Sequence, residues 1–316
     1  MLNNLLDPSI LFFFLGVLAV LIKSDLEIPV PIPRFLAFYL LIAIGLKGGF
    51  ELAHTGLDPY VLKPLITATL FSFIAPLYLF FILRKKTNNE NAGAIAATYG
   101  SVSAVTFITA IAFLEENEVD FGGHMIAALA LMESPAIISG LALSYGFSGS
   151  SSKGKIREAS KEALTNGSVV LLLGSLFIGY FAKPGADSAL HIFTNDLFKG
   201  LLCLFLLDMG IVATKRIRSL RDKGAFLIAF SIVIPLIHAV LALLVTIAFE
   251  LTLGDGFLLC ILFASASYIA VPAAVRAALP SANPGLFVPM SLAITFPFNI
   301  IVGIPLYFYF FQQFAS

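Results

Sequence analysis

Two serine-rich, small-residue tracts occupy matching places in the two halves of the chain: Tyr99-Gly100-Ser101-Val102-Ser103-Ala104 and Ala264-Ser265-Ala266-Ser267-Tyr268. Serine hydroxyls can donate to an anion or offer oxygen to a cation. A helix interrupted at its middle presents unpaired backbone N–H groups and a positive dipole end where it restarts, which makes an anion site without a basic side chain. Each tract sits inside a hydrophobic stretch long enough to cross a bilayer. Polar, glycine-weakened backbone survives at that depth only where protein or a water-filled cavity satisfies it. Paired interruptions in corresponding positions are how secondary transporters build a midplane binding site. Close packing through small residues is the competing reading, and the occurrence of the motif twice in register favours a site.

Other residues at membrane depth could join this chemistry. Glu133 lies beside Ser134 and Pro135, and a carboxylate in that position is costly and usually functional. Thr295 is its positional counterpart, with Asn299 a turn further on; both are neutral oxygen donors suited to a hard cation such as sodium. Thr106, one turn after Ser103, adds a hydroxyl. Asp208 is a second intramembrane carboxylate, suited to a gate or to pairing with Lys47. His238 beside Pro235 reads as a satisfied core residue, and His54, His124 and His191 fall near loops without metal-ligand spacing. Cys203 and Cys260 lie inside apolar runs and read as core filler. Metalloprotease, DDxxD, dinucleotide-binding and P-loop signatures are all missing, which argues against an enzyme and against ATP-driven transport.

The elements that must carry these residues are membrane helices. Of the 316 residues 59% are hydrophobic and 12% charged, against about 25% charged in a soluble domain. Mean hydropathy is +0.97. The net charge of zero gives no basic or acidic tail and no reason to expect nucleic acid. No basic segment precedes the first apolar run, so no cleaved signal peptide is expected. Hydrophobic runs predict ten spans, at 8–22, 35–53, 62–83, 92–114, 123–146, 165–182, 197–214, 224–249, 256–278 and 286–311. Fifteen of the 19 Lys and Arg residues then fall on one side; Lys47, Lys63, Lys183 and Lys199 fall on the other, with the acidic Glu115, Glu116, Glu118 and Asp120. The positive-inside rule makes the basic side cytoplasmic and puts both termini outside, in a cytoplasmic (inner) membrane.

Weak internal matches recur at a nearly constant offset of 158 to 164: Gly16 with Gly174, Gly48 with Gly210, Pro76 with Pro235, Ser101 with Ser265 and Pro135 with Pro297. They predict a duplication. Five spans per copy is an odd number, so the copies insert with opposite orientation: 1–147 and 165–316, joined by a cytoplasmic linker at 148–164. Interior prolines crowd spans 3, 5, 8, 9 and 10, leaving spans 1, 2, 6 and 7 as a separate panel.

The stretch Tyr99-Gly-Ser-Val-Ser-Ala-Val-Thr-Phe107 resembles the sodium-dependent bicarbonate permease family (SbtA-type). So do Ala43-Ile-Gly-Leu-Lys-Gly-Gly49, Met132-Glu-Ser-Pro-Ala136, Leu206-Leu-Asp-Met-Gly210 and Ala264-Ser-Ala-Ser-Tyr-Ile-Ala-Val-Pro-Ala273. The resemblance covers nearly all of the chain. It implies an all-α polytopic protein of ten helices in two inverted repeats, similar to sodium/proton antiporters and bile acid symporters, with helices 4 and 9 crossed. A core domain would comprise helices 3–5 and 8–10, a gate domain helices 1, 2, 6 and 7, and the assembly would be a homotrimer. Sodium-coupled uptake of bicarbonate would use Gly100, Ser101, Val102, Ser103, Ser265, Ala266, Ser267 and Tyr268 for the anion. Ser101, Ser103, Thr106, Glu133 and Ser265 would hold sodium. A PII-like regulatory protein is a further implied partner, although the linker is shorter here than in the cyanobacterial members. Sodium/proton exchange, or a non-transporting membrane sensor or scaffold, are the alternatives.

Overall fold

The computed structural model describes residues 6–29, 31–56, 58–148, 161, 165, 167–217 and 224–314. Most of the predicted linker, and Arg218, Arg221 and Lys223 of the basic loop, lie outside the described residues. Helices account for nearly all of what is described, and no strand occurs there. They are α1 (Pro8–Leu21), α2 (Pro31–Thr55), α3 (Pro59–Leu83), α4 (Asn89–Gly100), α5 (Ala104–Glu116), α6 (His124–Ser148), α7 (Gly167–Phe181), α8 (Leu197–Ile217), α9 (Ala225–Phe249), α10 (Leu253–Ala264), α11 (Ala270–Ala278) and α12 (Pro284–Phe314). A π-helical turn, Ile192–Asp196, leads into α8, and two more, Met290–Thr295 and Asn299–Gly303, interrupt α12.

Among the described residues, seven helical segments are long and apolar enough to cross a membrane, and α1, α7 and α10 are shorter apolar helices. Local chemistry fixes several starts. Asp58 Oδ1 accepts from Tyr60 N (2.9 Å) to cap α3, and Asn88 Oδ1 accepts from Asn91 N (2.9 Å) to cap α4. Pro8, Pro59 and Pro284 open their helices, where a missing N–H costs nothing.

Packing sorts the helices into two groups. α1 lies along α8 and α2 along α7, while α3 packs on α4 and α6, and α9 on α10 and the first π-turn of α12. The α1–α8 and α2–α7 pairs are built alike. A Cβ on Gly16 would fall 3.2 Å from Gly210 Cα, and one on Gly179 would fall 3.0 Å from Gly49 Cα, so both pairs meet backbone to backbone. Gly16 and Gly179 thus hold like places in the two pairs, whereas a Cβ on Gly174 would meet nothing within 4 Å.

α3 and α9 turn apolar faces outward, among them Leu70, Phe73, Ile74 and Leu77 on α3 and Val233, Ile237, Val240 and Leu244 on α9. By contrast α4 and α5 are almost wholly buried. The two broken helices therefore run through the interior, where every backbone group freed by a break must find a partner within the protein.

Candidate functional site

Both serine tracts break their helices. α4 ends at Gly100 and α5 starts at Ala104; α10 ends at Ala264 and α11 starts at Ala270. Ser101 and Ser265 take nearly the same extended backbone, φ −94° with ψ −173° and φ −94° with ψ 174°. The breaks bond to each other: Ser103 N donates to Ser265 Oγ (3.0 Å) and Ser267 N donates to Thr98 O (2.9 Å). Each second serine also bonds to the first turn of the helix that follows, Ser103 as its N-cap. Ser103 Oγ accepts from Thr106 N (3.2 Å) and Thr106 Oγ1 (2.9 Å), and Ser267 Oγ accepts from Val271 N (3.2 Å).

A small cavity of about 40 Å³ lies where the breaks meet α2, α6 and α8. Val102, Ser103, Ser267 and Tyr268 line it, with Glu133 from α6. Ala104 and Val105 of the first turn of α5, and Ala270 at the start of α11, line it too, so two positive helix ends converge on one space. None of its lining residues is basic. The volume suits a few water-sized groups, which fits a small ion or a few-atom anion.

The remaining sequence-predicted residues stand behind this surface. Gly100 packs where a Cβ would lie 2.5 Å from Pro76 Cγ. Ala266 is buried, and Ser265 Oγ both accepts from Ser103 N and donates to Leu262 O (3.3 Å). Thr106 supports Ser103 and does not line the cavity. Among the described residues three buried side-chain oxygens have no hydrogen-bond partner: Ser101 Oγ and Glu133 Oε2 here, and Ser144 Oγ elsewhere on α6. A buried orphan of this kind costs about 1–3 kcal/mol unless a ligand or water meets it.

Thr295 and Asn299 serve the scaffold. Thr295 Oγ1 donates to Ser231 O (2.7 Å) and meets Tyr99 Oη (2.8 Å), while Asn299 Nδ2 donates to Ala264 O (2.8 Å), a carbonyl released by the second break. Asp208 does not pair with Lys47, which forms an ion pair with Glu115; Asp208 lines a surface cleft with Arg34, Glu27 and Lys215. His238 is held on both ring nitrogens, by Tyr78 Oη (2.5 Å) and Phe263 O (2.8 Å). His124, placed near a loop by sequence, is in fact buried 3.4 Å from Asp255 Oδ2. Nothing local in the sequence signals that pair, since its partners are 131 positions apart.

The two ends of the cavity differ. Ala37, Leu40 and Leu41 from the first half of α2 and Ser168 at the start of α7 line it, placing it toward the ends that basic loops flank. Further along α2 two close contacts follow. Lys47 meets Glu115 of α5, and Gly48 O abuts Gly123 so closely that no Cβ fits. A larger cavity of about 210 Å³ lies one turn further along α5, lined by Thr109, Phe113 and Glu116 together with Asp7, Lys199 and Ile304. It shares no residue with the smaller one.

Apolar helices in this number, with two broken ones meeting at a small cavity, define a multi-pass membrane protein. Residues 8–312 match the model of the Na+-dependent bicarbonate transporter superfamily, and the chain belongs to that family. Membership places it among transporters and points away from an enzyme. No curated protein matches the chain.

Proposed function

We propose that this protein carries out sodium-coupled uptake of bicarbonate, or a similar small monovalent anion, by alternating access. The observation that carries this reading is the convergence of two helix N-termini and the Glu133 carboxyl on one cavity without a basic side chain. Sodium binds first, to Glu133 and the hydroxyls of Ser101 and Ser103, with Ser265 and Thr106 holding those groups in place. Its charge completes a site for the anion, which lies against Val102, Ser267 and Tyr268 at the starts of α5 and α11.

In this reading ten spans form two inverted five-helix repeats: α4–α5 and α10–α11 each count as one, and the cytoplasmic linker joins the copies. α1, α2, α7 and α8 make the gate, the other helices the core. The protein sits in the inner membrane with both termini outside, as a trimer, and a PII-like protein is a candidate cytoplasmic partner. The cavity opens toward the cytoplasm, and Lys47–Glu115 with the Gly48–Gly123 contact seals the outer end. Opening that seal while the core shifts along the glycine-zipped gate exposes the site to the outside, beneath the larger cavity as an outer vestibule.

The test is uptake of radiolabelled bicarbonate into proteoliposomes with and without an inward sodium gradient. Sodium-dependent accumulation is expected, and Ser101→Leu or Ser265→Leu abolishes it while the protein remains in the membrane. No accumulation, with sodium still bound by the purified protein, would redirect the search to other small anions. The unpartnered Glu133 oxygen also favours a second reading, sodium/proton exchange. Coupled transport retained by Glu133→Gln would remove it.

A further inference from the structure

Arg84, Lys85 and Lys86 follow one another at the end of α3. Among the described residues, none of the three meets a carboxylate within ion-pair distance. Arg84 and Lys86 stand instead over aromatic rings. The Arg84 guanidinium stands 4.3 Å from the Phe147 ring centroid and 5.8 Å from those of Phe80 and Phe81, and Lys86 Nζ is 5.9 Å from the Phe226 ring. A cation over a ring face is attracted by the ring quadrupole and keeps its full charge. The arrangement thus positions positive charge without neutralising it.

Phe147 ends α6 and Phe226 begins α9, so the cradle ties three helix ends together at one level. Beside it is a surface hollow of about 360 Å³ lined by Phe81, Ile82, Arg84 and Lys85. Below the hollow the exposed face of α3 is a continuous apolar strip of Ile66, Leu70, Phe73, Ile74 and Leu77. Cations at the rim of an apolar strip match one molecule in both parts, a phosphate headgroup above and acyl chains below.

We infer that this hollow binds an anionic phospholipid, with its phosphate between Arg84 and Lys85, Lys86 adding charge, and its chains along α3. The assignment rests on α3 spanning the membrane and does not depend on what is transported. Each Lys or Arg at a membrane surface adds roughly fivefold to anionic-lipid affinity.

The experiment is native mass spectrometry of the full chain after detergent exchange, with phosphatidylglycerol, then phosphatidylcholine of the same chain length, titrated in. Phosphatidylglycerol is expected to be retained at least tenfold more strongly, and the triple variant Arg84→Gln, Lys85→Gln, Lys86→Gln loses that preference. Phe147→Leu, which keeps every charge but removes the nearest ring, lowers retention severalfold. Equal retention of the two lipids by the unaltered protein, or an unchanged preference in a triple variant that elutes at the same volume and melts normally, would overturn the assignment. Should the triple variant fail to fold, Phe147→Leu with unchanged retention does so alone. Because lipid is read directly, a failure here leaves the transport reading untouched, and the reverse also holds.

Discussion

The two helix breaks share a backbone but not a set of hydrogen bonds. After Ala264 the freed groups are engaged: Ser265 Oγ holds Ser103 N and Leu262 O, and Asn299 covers the Ala264 carbonyl. After Gly100, Ser101 Oγ is left without a partner, and α6 faces the cavity with a carboxylate whose second oxygen is also unpartnered. The corresponding positions on α12 are occupied by Thr295 and Asn299, both used internally. In the proposed reading the two breaks divide their labour: the second supplies rigidity, and the first keeps open valences for a solute.

The largest expected effect that sharpens this contrast is at Glu133. Glu133→Gln should lower sodium-driven uptake by a hundredfold or more, with little change in thermal midpoint, as checked by isotope flux and a melting assay. Asn299→Ala should do the opposite first. It strips the Ala264 carbonyl of its partner in a buried setting, a loss of about 1–3 kcal/mol, and should lower the melting midpoint before transport is considered. Gly100→Ala, on the packed side of the first break, should also destabilise by about 1–3 kcal/mol, since the new methyl overlaps Pro76 while Ala264 already accommodates one. The smallest effect is expected from Ser101→Ala against Ser265→Ala. The former removes a buried unpartnered hydroxyl, so it should leave the melting midpoint unchanged or raise it while weakening sodium binding severalfold by calorimetry; the latter should lower the midpoint. If both serines behaved alike, the division of labour would be wrong.

A separate comparison sets the closed end against the open one. Lys47→Glu should raise labelling of a cysteine placed at Val102 by a membrane-impermeant reagent from outside, and adding Glu115→Lys should reverse it. Labelling that ignores both changes would remove the pair from the seal.

Span limits were legible because a bilayer demands long apolar runs, and α3, α6 and α9 lie within three residues of their expected bounds. The breaks were legible because Gly100-Ser101 and Ala264-Ser265 offer little side-chain packing to a helix interior. Which hydroxyls are engaged was not. Thr295 looked like an ion ligand, and its actual partner, the Ser231 carbonyl, is 64 positions away. The Lys47 partner was not legible either: Asp208 and Glu115 both offer a carboxylate, and the fold brings the one on α5 to Lys47. The like packing of Gly16 and Gly179 was hidden because sequence matching sees residue type, while the fold sees which glycine lacks room for a methyl.

The seal at the Lys47 end also makes the protein responsive to the medium it faces. The two side chains remain about a third and a quarter exposed, so dissolved salt reaches their field. The Debye length shrinks from about 10 Å at 0.1 M to about 3 Å at 1 M. In the proposed orientation, higher salt outside would weaken this pair without any ligand, and the ion that weakens it would be the one proposed to drive uptake.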